Sequence, residues 1–216
     1  MPEPVKPPKR PYNSPRRRQQ ADATRREILE AARRLFEQQG YAATTMGAIA
    51  SEAGVALKTV YVAFETKSGV LRALWHVVLR GDDGEVPVSE LPWYRETLDH
   101  PDPVEQLRLN ARNSRIVKLR VGAVGEVIRT SAPSDAEIGE LWRRIQADYH
   151  GNQRAVVESL WEKQALDPSL DVDRAADILW TINHPDVWHL LVVQRGWTPE
   201  AYEEWCFESA CSLLLR

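Results

Sequence analysis

The sequence predicts an all-α fold, with a small three-helix unit at its N-terminal end and a larger helical body behind it. Three observations carry this. Apolar residues recur at three- and four-residue spacing through most of the 216 residues. Capping residues and prolines punctuate that pattern where helices should begin, as at Thr24, Thr45, Thr66, Asp102 and Thr198. The alternation of apolar and polar residues that marks a strand never persists for a strand's length.

Taken in order, residues 1–20 hold Pro2, Pro4, Pro7, Pro8, Pro11 and Pro15 among Lys6, Lys9, Arg10, Arg16, Arg17 and Arg18. So little apolar surface predicts a disordered basic arm. Thr24 to Glu27 reads as a capping box that opens the first helix, with Ile28, Ala32, Leu35 and Phe36 on its inner face and Gly40 ending it. Thr45 caps a second helix, Gly54-Val55 interrupts it, Leu57–Phe64 forms a third, and Thr66 caps a fourth that runs to about Arg80. Residues 81–102 read as a turn-rich connection with Gly84, Pro87, Pro92 and Pro101. Asp102-Pro103 opens a helix to about Thr130, with a break expected near Gly122 and Gly125. Ser134 to Glu137 reads as another capping box, opening a long amphipathic helix to about Lys163. A helix follows Asp171, Pro185 forces a break, and Thr198-Pro199 starts the last helix. Nine or ten helices result, divided into the arm 1–20, a unit at 21–67 and a body at 68–216.

Charge is unevenly spread. The net charge is −3, yet residues 1–70 carry 12 Lys/Arg against 7 Asp/Glu, and the remainder carries 16 against 24. The basic end can approach a polyanion that the acidic body repels. No stretch nears the ~20 apolar residues that span a membrane, and no apolar core follows the basic N-terminus as in a signal peptide, so a cytoplasmic protein is expected. Cys206 and Cys211 read as small core residues. The five histidines form no metal-binding spacing, and neither a nucleophile elbow nor a phosphate-cradling glycine loop is present. No catalytic residue, metal site or cofactor is therefore expected.

The informative stretch is residues 46–65, MGAIASEAGVALKTVYVAFE. Two short helices can cross steeply there, with Gly54 taking the positive φ of the turn, Ala50 small at the crossing, and Ile49, Ala53, Val55 and Val60 between them. That is a helix-turn-helix, whose second helix enters the major groove of DNA. Ala56, Leu57, Lys58, Thr59, Tyr61 and Val62 would face the duplex. Lys58 can donate to guanine or to a phosphate, and Thr59 can meet a base edge. Thr44, Thr45 and Lys67 lie at helix starts, where N–H groups and dipole favour phosphate. Arg16, Arg17 and Arg18 are placed to reach a minor groove, or to remain a solvated tail.

These residues resemble a family. Phe36, Gly40-Tyr41, Thr44-Thr45, Ile49-Ala50, Ala53-Gly54-Val55, Thr59-Val60-Tyr61, Phe64, Lys67 and Leu71 are similar to the N-terminal domain of the TetR regulators over residues 24–75. The segment from His184 to Trp205 is similar to the end of actinobacterial-type members. Two positions depart from the pattern: Ala56 stands where a capping Ser is common, and Ala63 where His or Tyr is common. The resemblance implies an N-terminal three-helix helix-turn-helix domain followed by a larger helical ligand-binding and dimerisation domain. It also implies a double-stranded DNA operator as partner, a homodimer, and a small-molecule ligand of unknown identity. A ligand-responsive repressor is the expected function; an activator, a ligand-independent regulator or a protein-interaction module is the alternative.

Seven of the eight tryptophans follow residue 81. Trp142, Tyr149, Trp161, Trp180, His184 and Trp188 are the candidate cavity lining, with core packing as the other reading. Ile178, Ile182, Tyr202, Trp205, Ser209 and Leu213 form stripes that fit a dimer seam or packing within one chain.

Overall fold

A computed structural model describes residues 15–80 and 88–216. The rest of the predicted arm, residues 1–14, lies outside the described residues. Helix α1 spans Pro15–Ala43 and so begins well before the Thr24 capping box. Pro15 is preset for a first helical position, and the Arg-Arg-Gln-Gln-Ala run that follows favours helix without needing a buried face. The expected arm is therefore helical over residues 15–20, and Thr24 is an interior residue. Gly40 (φ 77°, ψ 171°) breaks the helix where predicted and turns the chain at Tyr41.

The next two helices follow from their caps. Helix α2, Met46–Glu52, starts where the Thr45 hydroxyl accepts from the Ala48 N–H at 3.0 Å. Gly54 (φ 66°) turns the chain into α3, Leu57–Phe64, and the two axes meet at 113°. Ala56 stands at the start of α3 with no side-chain cap, as its methyl group dictates. Ile49, Ala50, Val60 and Phe64 close the small core between these helices and Ile28, Ala32 and Phe36 of α1.

The exit from α3 is tight. Glu65 adopts φ 61°, ψ −51°, and the Thr66 N–H reaches the Phe64 carbonyl at 2.6 Å, forming a strained γ-turn. Thr66 then accepts from the Gly69 N–H at 2.9 Å and caps α4, Lys67–Arg80. A β-carbon on Gly69 would lie 2.2 Å from the Phe64 carbonyl oxygen. Only glycine permits this approach, so α3 and α4 are joined almost rigidly.

Beyond α4 the sequence reading missed one element. A 3-10 turn at Val88–Glu90 leads into α5, Pro92–Asp99. Pro92, taken as a breaker, is the first residue of this helix. Tyr94 fastens α5 by donating to the Asn152 carbonyl at 2.7 Å. Helix α6, Pro103–Ser131, is capped by Asp102 and runs unbroken through Gly122 and Gly125, neither of which has a positive φ. Helix α7 spans Ala136–Glu162, and its cap is Asp135 rather than Ser134: the Asp135 carboxylate accepts from the Glu137 and Ile138 N–H groups at 3.0 and 3.2 Å. Helix α8 is Val172–Ile182 and α9 is Pro185–Trp188, which widens into a π turn at His189–Gln194. Helix α10, Pro199–Leu214, closes the chain. Among the described residues the fold is all-α.

Two apolar clusters organise these helices. One joins α1 to α4 with Val121, Val124, Val127 and Ile128 of α6 and with Ile138 and Leu141 of α7. The other joins the first half of α6 and the second half of α7 to α8 and α10. The first cluster crosses residue 67 without a seam, so the helix-turn-helix is built onto the body. Replacing Gly69 by Ala is expected to destabilise the protein by about 2 kcal/mol, as overpacking does. An unchanged urea midpoint for that variant would show that α3 and α4 do not approach so closely.

Candidate nucleic-acid interface and ligand cavity

Helix α3 presents its outer face to solvent. Leu57, Lys58, Tyr61 and Val62 are exposed, Val62 to 77%, while Thr59 is half-buried. The inner residues Val60 and Phe64 are buried. The exposed set is apolar apart from the Lys58 ammonium and the Tyr61 hydroxyl, which are the side-chain donors this face offers. At the far end of α3, Arg25 of α1 donates to the Ala63 carbonyl at 2.9 Å and lies over the Phe64 ring. A cation there suits the negative end of the helix dipole.

The predicted phosphate contacts divide. Thr45 is exposed, and although its oxygen caps α2, its hydroxyl proton remains available. Thr44 is fully buried; its hydroxyl donates to the Gly40 carbonyl at 2.8 Å and accepts from Gln39 at 3.2 Å. It shapes the turn after α1 and does not face a ligand, which corrects the sequence reading. Lys67 is half-buried and partly engaged within the chain. Its ammonium donates to the Tyr41 carbonyl at 2.7 Å and lies 4.1 Å over the Tyr41 ring. Burial lowers its pKa, partly opposed by Asp135.

Tyr41 continues this chain of contacts. Its hydroxyl donates to Asp135 at 2.9 Å, and burial first, then the Asp135 bond, push the phenol well above its usual range. Next to it, the Ser68 hydroxyl donates to Glu137. The helix-turn-helix is thereby fastened to the first turn of α7 by two side-chain bonds to carboxylates.

A cavity of about 530 Å³ opens between α4, α5, α6 and α7. Trp75, Leu79, Trp93, Val117, Val121 and Ile145 supply apolar walls. Asn110, Ser114 and Lys118 of α6 face Gln146, Tyr149 and Gln153 of α7 across its polar side. Asn110 donates to Gln153 at 3.1 Å. Lys118 is only 6% exposed; it donates to Ser114 and, at 3.2 Å, to the Tyr149 oxygen. Tyr149 in turn donates to the Asn183 carbonyl at 2.6 Å. Burial holds the Lys118 ammonium down to about 7 and pushes the Tyr149 phenol up.

Of the six residues read as cavity lining, Tyr149 alone lines it. Trp142 packs against the first core cluster. Trp161 is 61% exposed on the outer side of α7. Trp180 stacks edge-on between His150 and His184, His184 caps α9, and Trp188 packs edge-on against Tyr202. The aromatics that do line the cavity are Trp75, Trp93 and Tyr94. Trp93 and Tyr94 went unseen because α5 was read as loop. Lys118 carried one signal: a lysine at helical spacing from Ser114, Ala111 and Val121 lies on the buried face of α6.

The seam residues divide too. Ile182 and Tyr202 are buried within the monomer; Tyr202 donates to the Ile182 carbonyl at 3.2 Å, so neither is available to a second copy. Ile178, Trp205 and Ser209 are half-buried and Leu213 is 53% exposed. Leu190, Val193 and Trp197, between α9 and α10, add exposed apolar surface that the sequence reading did not include. Cys206 is buried, its thiol pushed up to about 11, and Cys211 is half-buried.

Comparison with known proteins gives the following. Residues 28–74 match the family described as bacterial regulatory proteins, tetR family. The chain is 27% identical over 164 residues to the "Probable HTH-type transcriptional regulator ArpR" of Pseudomonas putida, covering 74% of this chain and 77% of that protein. Its fold is similar to that of a SmeT–triclosan complex (TM-score 0.70, 20% identity, 90% of this chain and 92% of that one). It is equally similar to that of NalD, the secondary repressor of the MexAB-OprM multidrug efflux pump in Pseudomonas aeruginosa (TM-score 0.70, 20% identity, 91% and 98%). No single helix among the described residues is long and apolar enough to cross a membrane.

The Lys118 environment has a pH signature. The groups facing its ammonium are Ser114, Tyr149, Tyr202, Cys206 and His184. Below about pH 7 the amine is charged in folded and unfolded chains alike, and the cost of burying the charge is fully present. Between about 7 and the ordinary value of 10.5 the folded chain sheds the proton first, so stability rises with pH. Wild type should therefore gain stability relative to Lys118→Met across that window. A constant difference between their urea midpoints would show that Lys118 titrates normally.

Proposed function

Starting from a tetR-family DNA-binding domain at residues 28–74, we propose that this chain is a transcriptional regulator of that family, a ligand-responsive repressor that grips a palindromic operator as a homodimer. In this reading residues 21–67 are the DNA-gripping part and residues 68–216 carry ligand binding and dimerisation. The observation that carries it is the continuity of α4. Its first turn is held against the end of the recognition helix at Gly69 and Phe64, and six residues further on Trp75 lines the cavity. At ~1.5 Å per residue that is ~9 Å along one helix. A ligand that moves Trp75 moves α3.

Two copies are needed because one eight-residue recognition helix reads only a half-site, and half-sites one turn of DNA apart lie ~34 Å from each other. We assign the seam to the exposed apolar surface of Leu190, Val193, Trp197 and Leu213, flanked by Ile178, Trp205 and Ser209. Lys58 is assigned to a base or phosphate, and Tyr61 and Thr45 to phosphates. Leu57, Thr59 and Val62 would pack against base edges and sugars, and the Ala56 backbone would lie along the groove wall. SmeT's capture with triclosan supports a ligand-binding body, and NalD's role as a pump repressor supports repression. The actinobacterial-type reading of the segment from His184 to Trp205 rests on sequence resemblance alone.

A gel shift with the DNA upstream of this chain's own gene, at fixed salt and with excess competitor, tests the reading. A discrete complex that competitor does not remove is expected. Tyr61→Phe should weaken binding to every sequence by a similar factor, whereas Lys58→Ala should cost about 1–3 kcal/mol and relax preference at one position if it reads a base. Failure to bind even a randomised duplex library would replace operator binding with a protein-interaction role. For the seam, Leu213→Glu combined with Val193→Glu should yield monomers in sedimentation velocity; dimers that persist would place the seam elsewhere.

A further inference from the structure

The cavity's polar side contains an arrangement that the fold itself leaves incomplete. Lys118 is buried beside the Tyr202 ring and Cys206, and its ammonium has two hydrogen-bond acceptors, the hydroxyls of Ser114 and of Tyr149, whose own proton is committed to the Asn183 carbonyl. Among the described residues no carboxylate pairs with it. A buried cation needs a counter-charge or full hydrogen bonding, and two hydroxyl acceptors leave its third N–H without a partner. A second polar group lines the same cavity: Lys118 of α6 and Gln146 of α7 both stand on its polar side. The Gln146 Oε1 is buried with no hydrogen-bond partner. Rotation of that amide can offer a ligand either its N–H2 or its carbonyl. Next to this polar end stand Trp75, Leu79, Val121 and Ile145, an apolar wall of the kind that encloses a small organic body.

We propose that the cavity takes an amphipathic organic anion, a monocarboxylate with an aliphatic or aromatic body, whose carboxylate pairs with Lys118 and whose second oxygen meets Gln146. This rests on the cavity being the regulator's ligand site, and it names the ligand class. The carboxylate supplies both things the site lacks, a counter-charge for the ammonium and an acceptor for its third N–H. The body lies against Trp75 on α4, the helix that leads to α3.

Matched probes test this on the full-length chain by calorimetry and tryptophan fluorescence: octanoate against octanamide, and 1-naphthylacetate against 1-naphthylacetamide. At least one acid is expected to bind about 30-fold or more tightly than its amide, the factor that a buried charge pair carries. Which acid does so distinguishes an aliphatic from an aromatic body. Lys118→Met should abolish the preference, with an unchanged circular-dichroism spectrum and a cooperative urea transition showing that the variant folds. Lys118→Arg should keep a preference for the acid. Equal binding of acid and amide by wild type, or a preference that survives Lys118→Met, overturns the proposal but leaves the cavity a ligand site. Binding of neither acid nor amide by wild type overturns the ligand-site reading as well.

Discussion

The bond from Tyr41 to Asp135 is the contact through which the two ends of this molecule answer to each other. Tyr41 follows the Gly40 break, where α1 stops and the chain turns toward α2. Its carbonyl holds Lys67 at the start of α4, and its hydroxyl holds the residue that caps α7. Three helix boundaries thus meet at one residue. A surface ion pair in this position would be weak and screened. These groups are partly buried, and the Lys67 ammonium also lies over the Tyr41 ring, so their separation would leave polar atoms unsatisfied in an apolar setting. The joint is therefore expected to move as a unit, carrying α2 and α3 with it.

That arrangement restricts how a ligand can act. The cavity is bounded by α4, α5, α6 and α7, and three of these touch the helix-turn-helix. Helix α4 does so at Gly69, α6 through Val121 to Ile128, and α7 at Asp135 and Glu137. In the dimer proposed above, a ligand that favours one spacing of the two heads by ~1.4 kcal/mol would change DNA affinity tenfold. Coupling is reciprocal, so in that reading DNA would weaken ligand binding by the same factor. The strained γ-turn at Glu65 belongs to this economy of parts. It shortens the α3–α4 connection to a length that transmits displacement where a longer loop would absorb it.

Much of the fold was legible in the sequence because caps and glycines act locally. Thr45, Gly54, Thr66, Asp102, Asp171 and Thr198 perform the roles that their side chains and φ angles dictate, and Leu57–Phe64 has the bounds its pattern predicts. The misreadings share a cause. Thr24 and Ser134 have the chemistry of a cap, yet in each case a neighbour serves the helix better: Pro15 starts α1 earlier, and the Asp135 carboxylate reaches two N–H groups. Pro92 could be a breaker or a first residue, and only the burial of Tyr94 and Thr97 decides between them.

The site was less legible, for a physical reason. Tryptophans were taken as the mark of a cavity, but a large ring is first a means of filling a core. Trp180 and Trp188 pack edge-on against His184 and Tyr202. Thr44 likewise stands at a helix start that suits phosphate, and its hydroxyl is instead consumed by the Gly40 carbonyl. In each case an internal partner, invisible in the sequence, outcompetes the external one. What distinguishes Lys118 is the reverse condition: the fold has buried a cation and, among the described residues, supplied no anion. A residue type signals a ligand only when the structure fails to satisfy it, and that failure is a property of the packed helices rather than of any motif.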